Sequence, residues 1–128
     1  MKKIAILASL FLLVFLVFLI AKAEEHDGFK ITIHNKVDKE IHNLIIDYPG
    51  GPTVVDMESK SKKTIKIRPE NFGEASINLI YEANQSKQSE IIFGYIERGY
   101  SGKANIDIES IHEDGELNLS IREKVNLY

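Results

Sequence analysis

Residues 75–96 read ASINLIYEANQSKQSEIIFGYI, and the reading of this stretch decides the fold. Ala75, Ile77, Leu79 and Tyr81 recur at every second position, with Ser76, Asn78 and Glu82 opposite them. Successive side chains of a strand point to opposite faces, so the alternation describes a strand with one buried face. After the polar turn Asn84-Gln85-Ser86-Lys87-Gln88, Ile91, Phe93 and Tyr95 resume the pattern. Two such runs joined by turn-forming residues predict a β-hairpin. Leu79 and Phe93 are expected in the core, and Tyr95 keeps the inward phase of Phe93.

The segments on either side repeat this pattern. Upstream, Phe29, Ile31 and Ile33 alternate with Lys30, Thr32 and His34, and a mostly buried run covers residues 41–48. Pro49-Gly50-Gly51-Pro52 stops that run, because proline has no N–H for a ladder and glycine permits positive φ. Strands are expected over 53–57 and 61–68, the second with Ile65 and Ile67 inward and Thr64, Lys66 and Arg68 outward. Downstream, Ala104, Ile106 and Ile108 mark another strand. The Asp114-Gly115 pair then predicts a hairpin into Leu117, Leu119 and Ile121. The chain is therefore expected to be all-β: an antiparallel immunoglobulin-like β-sandwich of seven to eight strands, preceded by an N-terminal signal or anchor helix. With no cysteine and no tryptophan, the Cys–Trp–Cys core of antibody domains is missing and only the architecture is implied. A closed barrel competes, because alternation and strand count are common to both.

Location is read from the N-terminus. Met1-Lys2-Lys3 is a positive n-region, residues 4–20 are apolar apart from Ser9, and Ala21-Lys22-Ala23 offers a signal-peptidase site. This divides the chain into a signal peptide over 1–23, a polar linker over 24–28 and a β-domain over 29–128. The competing reading keeps residues 4–21 as a membrane anchor, at the lower edge of the ~17–25 residues that cross a bilayer. Either way the remainder is expected outside the cytoplasm, since Lys2 and Lys3 hold the N-terminus inside. Lys2, Lys3 and Lys22 are three of the 16 basic residues, so the mature chain keeps 13 against 19 acidic ones, a net charge near −6. Nucleic-acid binders carry a basic footprint, and no such partner is expected. Without cysteine, a secreted domain of this size must be stabilised by packing alone.

Residues with catalytic or metal-binding chemistry are few. His34 and His42 flank the first expected turn and could share a zinc or copper ion, but no third ligand has a recognisable spacing to them. They read as exposed strand-end residues, His112 as a turn residue beside Glu113 and Asp114, and His26 as part of the linker. Asp107 and Glu109 lie two apart on an outward strand face. Such a pair suits glycoside hydrolysis in a sugar-sized cleft and is simply solvated on an open face. No nucleophile elbow, catalytic Cys–His pair, phosphate-binding glycine loop or EF-hand pattern occurs. No catalytic residue, metal ligand or cofactor is assigned, and the expectation is a protein that is not an enzyme.

Two surface stretches are better candidates. Lys60, Lys62, Lys63, Lys66 and Arg68 follow one another with no acid among them. Such a run suits docking on an anionic cell-wall polymer or lipid headgroups, or protection of an edge strand. Lys62, Lys66 and Arg68 share the outward phase. The loop over 95–102 combines tyrosine, glycine and serine around Arg98, a composition that suits adaptable recognition. The candidate binding surface is therefore Lys62, Lys66, Arg68, Arg98 and Tyr100.

Residues 41–48, Pro69-Glu70-Asn71-Phe72 and residues 94–102 together resemble small exported single-domain proteins of Bacillus-type bacteria. That resemblance implies a secreted domain in a Gram-positive host and no reaction. The sequence thus leads to a non-catalytic secreted or cell-surface binding module, monomeric, with a protein or an anionic envelope polymer as partner. Membrane contact is expected only through the N-terminal segment. The alternative is a membrane-tethered structural or accessory domain of the envelope.

Overall fold

The computed structural model describes residues 1–25 and 28–127. His26 and Asp27 of the expected linker, Tyr128, and the side chains of 22–25 within and beside the expected cleavage site lie outside the described residues. The leader forms helix α1 (Lys2–Glu25). Its apolar part, Lys2–Ala21, is 20 residues long with every side chain exposed, and 20 helical residues span about 30 Å. A helix of this kind fits a signal peptide or a membrane anchor.

Eight strands follow: β1 (Phe29–Asn35), β2 (Ile41–Asp47), β3 (Thr53–Met57), β4 (Lys62–Ile67), β5 (Glu74–Ala83), β6 (Ser86–Glu97), β7 (Ser101–Ile111) and β8 (Leu117–Asn126). They make two four-stranded sheets rather than one closed barrel: sheet A in the order β4-β1-β7-β8 and sheet B in the order β3-β2-β5-β6. Inward side chains of both sheets share a single core. Ile31, Ile33, Ile106 and Ile108 come from sheet A, and Leu44, Ile46, Ile77, Leu79 and Phe93 from sheet B. One pairing corrects the expectation of a wholly antiparallel sandwich. β1 runs parallel to β7, from Phe29 opposite Gly102 to Asn35 opposite Ile108. Alternation reports which side chains face inward and carries no information on strand direction.

β5 and β6 form the expected hairpin, closing with Ala83 opposite Ser86. Its turn is only Asn84-Gln85, both at positive φ (51° and 62°), the two-residue geometry that matches strand twist. Ser86, Lys87 and Gln88, expected in the turn, belong to β6. Leu79 and Phe93 are fully buried as expected. Tyr95 is not. Register shifts flank Ile77, and on each side of it β6 carries an extra residue; each such bulge changes which face the following side chains occupy. Ile92 and Ile96 are therefore buried, while Ile91 and Tyr95 are 63% and 47% exposed.

One buried polar side chain organises the end of the domain opposite the start of β1. Asn35 donates from Nδ2 to the carbonyls of Lys39 and Glu58, at 2.8 and 2.9 Å, and accepts from the Val37 N–H at 3.0 Å. These bonds tie the β1–β2 loop to the β3–β4 loop and leave the buried amide fully partnered.

Candidate anion-binding face

The outward face of sheet A is polar on every strand, and register decides which polar residues meet. Lys30 of β1 pairs with Lys66 of β4 on one side and with Lys103 of β7 on the other. Lys103 in turn pairs with Lys124 of β8. Four exposed lysines thus stand in one row across the whole sheet. At ~4.8 Å between strands the row is about 14 Å long. Among the described residues none of the four forms an ion pair. Like charges directly opposite one another destabilise a sheet.

The following rows lose this excess of positive charge. Thr64, Thr32, Asn105 and Arg122 come next, with the two threonine hydroxyls 3.1 Å apart. Lys62, His34, Asp107 and Ser120 form the third row. Asp107, its side chain only 16% exposed, gathers Arg122 at 3.2 Å, Lys36 at 3.6 Å and His34 at 3.7 Å. Lys36 also donates to Glu109 at 3.1 Å. That bond, with Asp107 beside it, holds the Lys36 ammonium above its ordinary pKa. Carboxylates and cations neutralise each other at this end of the face. At the other end, where the chain enters β1, the four lysines have no carboxylate in their row.

The basic run expected from sequence is divided by the strand. Lys62 and Lys66 lie on the outward face of β4, and Arg68 follows the strand with its stem beside Gly28. Lys60 donates instead to the Lys36 carbonyl at 2.6 Å, and Lys63 to the Asp56 carbonyl at 2.8 Å, so both point away from the row. Arg98 is exposed in the β6–β7 loop. Tyr100 packs partly against the core and meets Tyr95 edge-on, with ring centroids 6.2 Å apart. These two belong to a loop and not to the face of sheet A. His34 and His42 lie in different sheets and do not converge: His34 is near Asp107, and His42 near Glu40 and Asp56. Among the described residues no group of three or more His, Cys, Asp or Glu is placed to hold a metal ion.

Lys30, Lys103 and Lys124 were not singled out by sequence reasoning. Each is the one lysine of its neighbourhood, and its outward phase is the only local signal. Edge protection accounts for Lys66 and Lys124, which lie on the edge strands β4 and β8. It does not account for Lys30 and Lys103, which lie on the two inner strands. The double variant Lys30→Gln, Lys103→Gln is expected to raise the melting temperature by about 2–5 °C at low salt, through relief of like-charge pairing. The gain should vanish near ~1 M salt, where the Debye length is ~3 Å. Thermal melts at both salt concentrations check this, and a destabilised variant would show the row to be favourable as it stands.

Sheet B carries a second feature, an open cleft of about 470 Å³. β2 is paired with β5 only at Ile45, Ile46 and Asp47. Before that point Asn43, at φ 58°, bulges the strand between Ile41 and Leu44, and its N–H donates to Asp56 at 2.9 Å. Ile41, Leu44, Tyr81 and Leu117 line the opening, with exposed Glu40, His42, Glu82 and Lys87 around it. Within it the buried Tyr81 hydroxyl accepts a hydrogen bond from the Leu117 N–H at 3.2 Å, and burial raises the phenol pKa.

These features define an all-β domain of two sheets behind an apolar N-terminal helix, with a cationic row on one sheet. Comparison with family models, curated proteins and solved structures gives no match.

Proposed function

We propose that this protein is a non-catalytic, extracytoplasmic binding module, immunoglobulin-like in its sandwich architecture, that engages phosphate-bearing polyanions of the cell envelope through sheet A. The lysine row supports this reading. Aligning four ammonium groups across a sheet is unfavourable in the free protein, and a polyanion lying along the row removes the repulsion while adding attraction. The apolar helix supports a site of action outside the cytoplasm, and the acidic balance of the remaining chain argues against nucleic acid as the polyanion. Monomeric action suffices, since the row is complete within one chain.

Retention of the detergent-solubilised full chain on immobilised long-chain polyphosphate tests the reading. Wild type should bind at ~0.1 M salt and elute before ~1 M, as screening shortens the reach of each charge. The variant carrying Lys30→Gln, Lys66→Gln, Lys103→Gln and Lys124→Gln should pass through in the wash. Equal retention of the two proteins, or no retention of wild type at ~0.1 M, would overturn the reading.

A further inference from the structure

We infer that the leader stays attached and that the lysine row rests on the anionic lipid headgroups of the membrane that α1 crosses. This rests on the anion-binding reading above and commits to one source of the anion.

Covalent reach is the first support. Lys30 follows Glu25, the last residue of α1, by five positions, and five residues extend at most ~18 Å. Lys66, Lys103 and Lys124 are in register with Lys30, so the whole row lies within about 10 Å of it along the sheet. A row joined so closely to a spanning helix is kept near the headgroup layer before any attraction acts. Attraction then acts whenever the short connection brings the row within a Debye length, ~8–10 Å, of an anionic leaflet.

Charge distribution is the second support. Loops and strand ends at the α1 end carry both signs, Arg68 and Arg98 against Asp47, Glu70, Glu74 and Glu97. Against that balance the row leaves sheet A cationic there. Loops at the opposite end carry Asp38, Glu40, Glu58, Glu113, Asp114 and Glu116 against Lys36, Lys39 and Lys60, an excess of carboxylates. An anionic surface therefore attracts the end joined to the membrane and repels the other, which fixes one orientation. Ser89, exposed on edge strand β6 of sheet B, is then held away from the bilayer.

The chain has no cysteine of its own, so single dyes can be placed by Asn105→Cys on sheet A and Ser89→Cys on sheet B. Each labelled full chain is reconstituted into phosphatidylcholine vesicles with or without phosphatidylglycerol, with an acceptor dye on the headgroups. With phosphatidylglycerol, transfer from the Asn105 position should exceed that from Ser89 by about twofold. The difference should disappear in phosphatidylcholine alone, in ~1 M salt, and in the four-lysine glutamine variant. The salt arm needs no substitution and keeps the test valid if the variant is poorly folded. Equal transfer from both faces in every lipid would overturn the inference. So would a preference that survives loss of the lysines, or exported protein that lacks residues 1–23. If polyphosphate retention persists in those cases, the anion-binding reading stands and only the lipid assignment falls; if both are lost, both fall.

Discussion

Replacing Phe93 with alanine is expected to cost about 3–5 kcal/mol of folding stability, the largest effect of any single truncation in this domain. Phe93 is fully buried on β6, and its ring stacks at a tilt on Phe29, with centroids 4.9 Å apart. Gly102 of sheet A lies against it: a Cβ at that position would stand 3.0 Å from the Phe93 ring edge and 2.8 Å from the Lys124 carbonyl. The ring therefore packs between the sheets against the backbone at Gly102 and the ring of Phe29, and its removal leaves a cavity there. Lost transfer energy and a residual cavity add together in such a site. For a domain of this size the melting temperature should fall by about 15–30 °C. Leu79→Ala, also fully buried, should cost about 2–5 kcal/mol. Urea denaturation measures both, and losses below about 1 kcal/mol would mean that these side chains do not face the core.

Tyr81→Phe is expected to cost about 1–3 kcal/mol, because it leaves the buried Leu117 N–H without its acceptor while keeping the ring in place. The same residue gives stability a pH dependence. Burial raises the Tyr81 phenol above its ordinary value, and the unfolded chain titrates near ~10. Below that pH both states hold the proton and the stability is fully present. As pH rises from ~10 through the folded pKa, the unfolded state loses its proton first, so stability falls. Tyr95 adds to this slope, since its hydroxyl donates to the Glu97 carboxylate, which pushes its pKa up as well. Denaturant midpoints between pH ~8 and ~11 should therefore drop more steeply for wild type than for Tyr81→Phe, and the slope left in that variant should shrink on adding Tyr95→Phe. Parallel curves for wild type and Tyr81→Phe would show that the Tyr81 hydroxyl is not buried.

Strand positions were largely legible before the structure, and the candidate site was only half so. The sequence placed eight strands and the inward faces of β1, β4, β5 and β7, because alternation over a few residues records burial directly. It failed at Ile91 and Tyr95, where two bulges change phase within β6, and a bulge leaves no mark on an apolar run. Of the expected binding residues, Lys62 and Lys66 lie on the cationic face, while Arg98 and Tyr100 sit in the β6–β7 loop. The lysine neighbours that make Lys66 part of a row come from β1, β7 and β8.

By itself the sequence determined the apolar leader, the division into strands and turns to within a few residues, and, outside the bulged part of β6, which side chains are withdrawn from water. Each of these depends on residues close together in the chain. Only the tertiary structure decided the strand order, the parallel pairing of β1 with β7, the opening between β2 and β5, and the alignment of Lys66, Lys30, Lys103 and Lys124. Those follow from closing one core with strands distant in sequence: Phe29 of β1 is opposite Ile67 of β4 and Gly102 of β7, a juxtaposition that no local run of residues records.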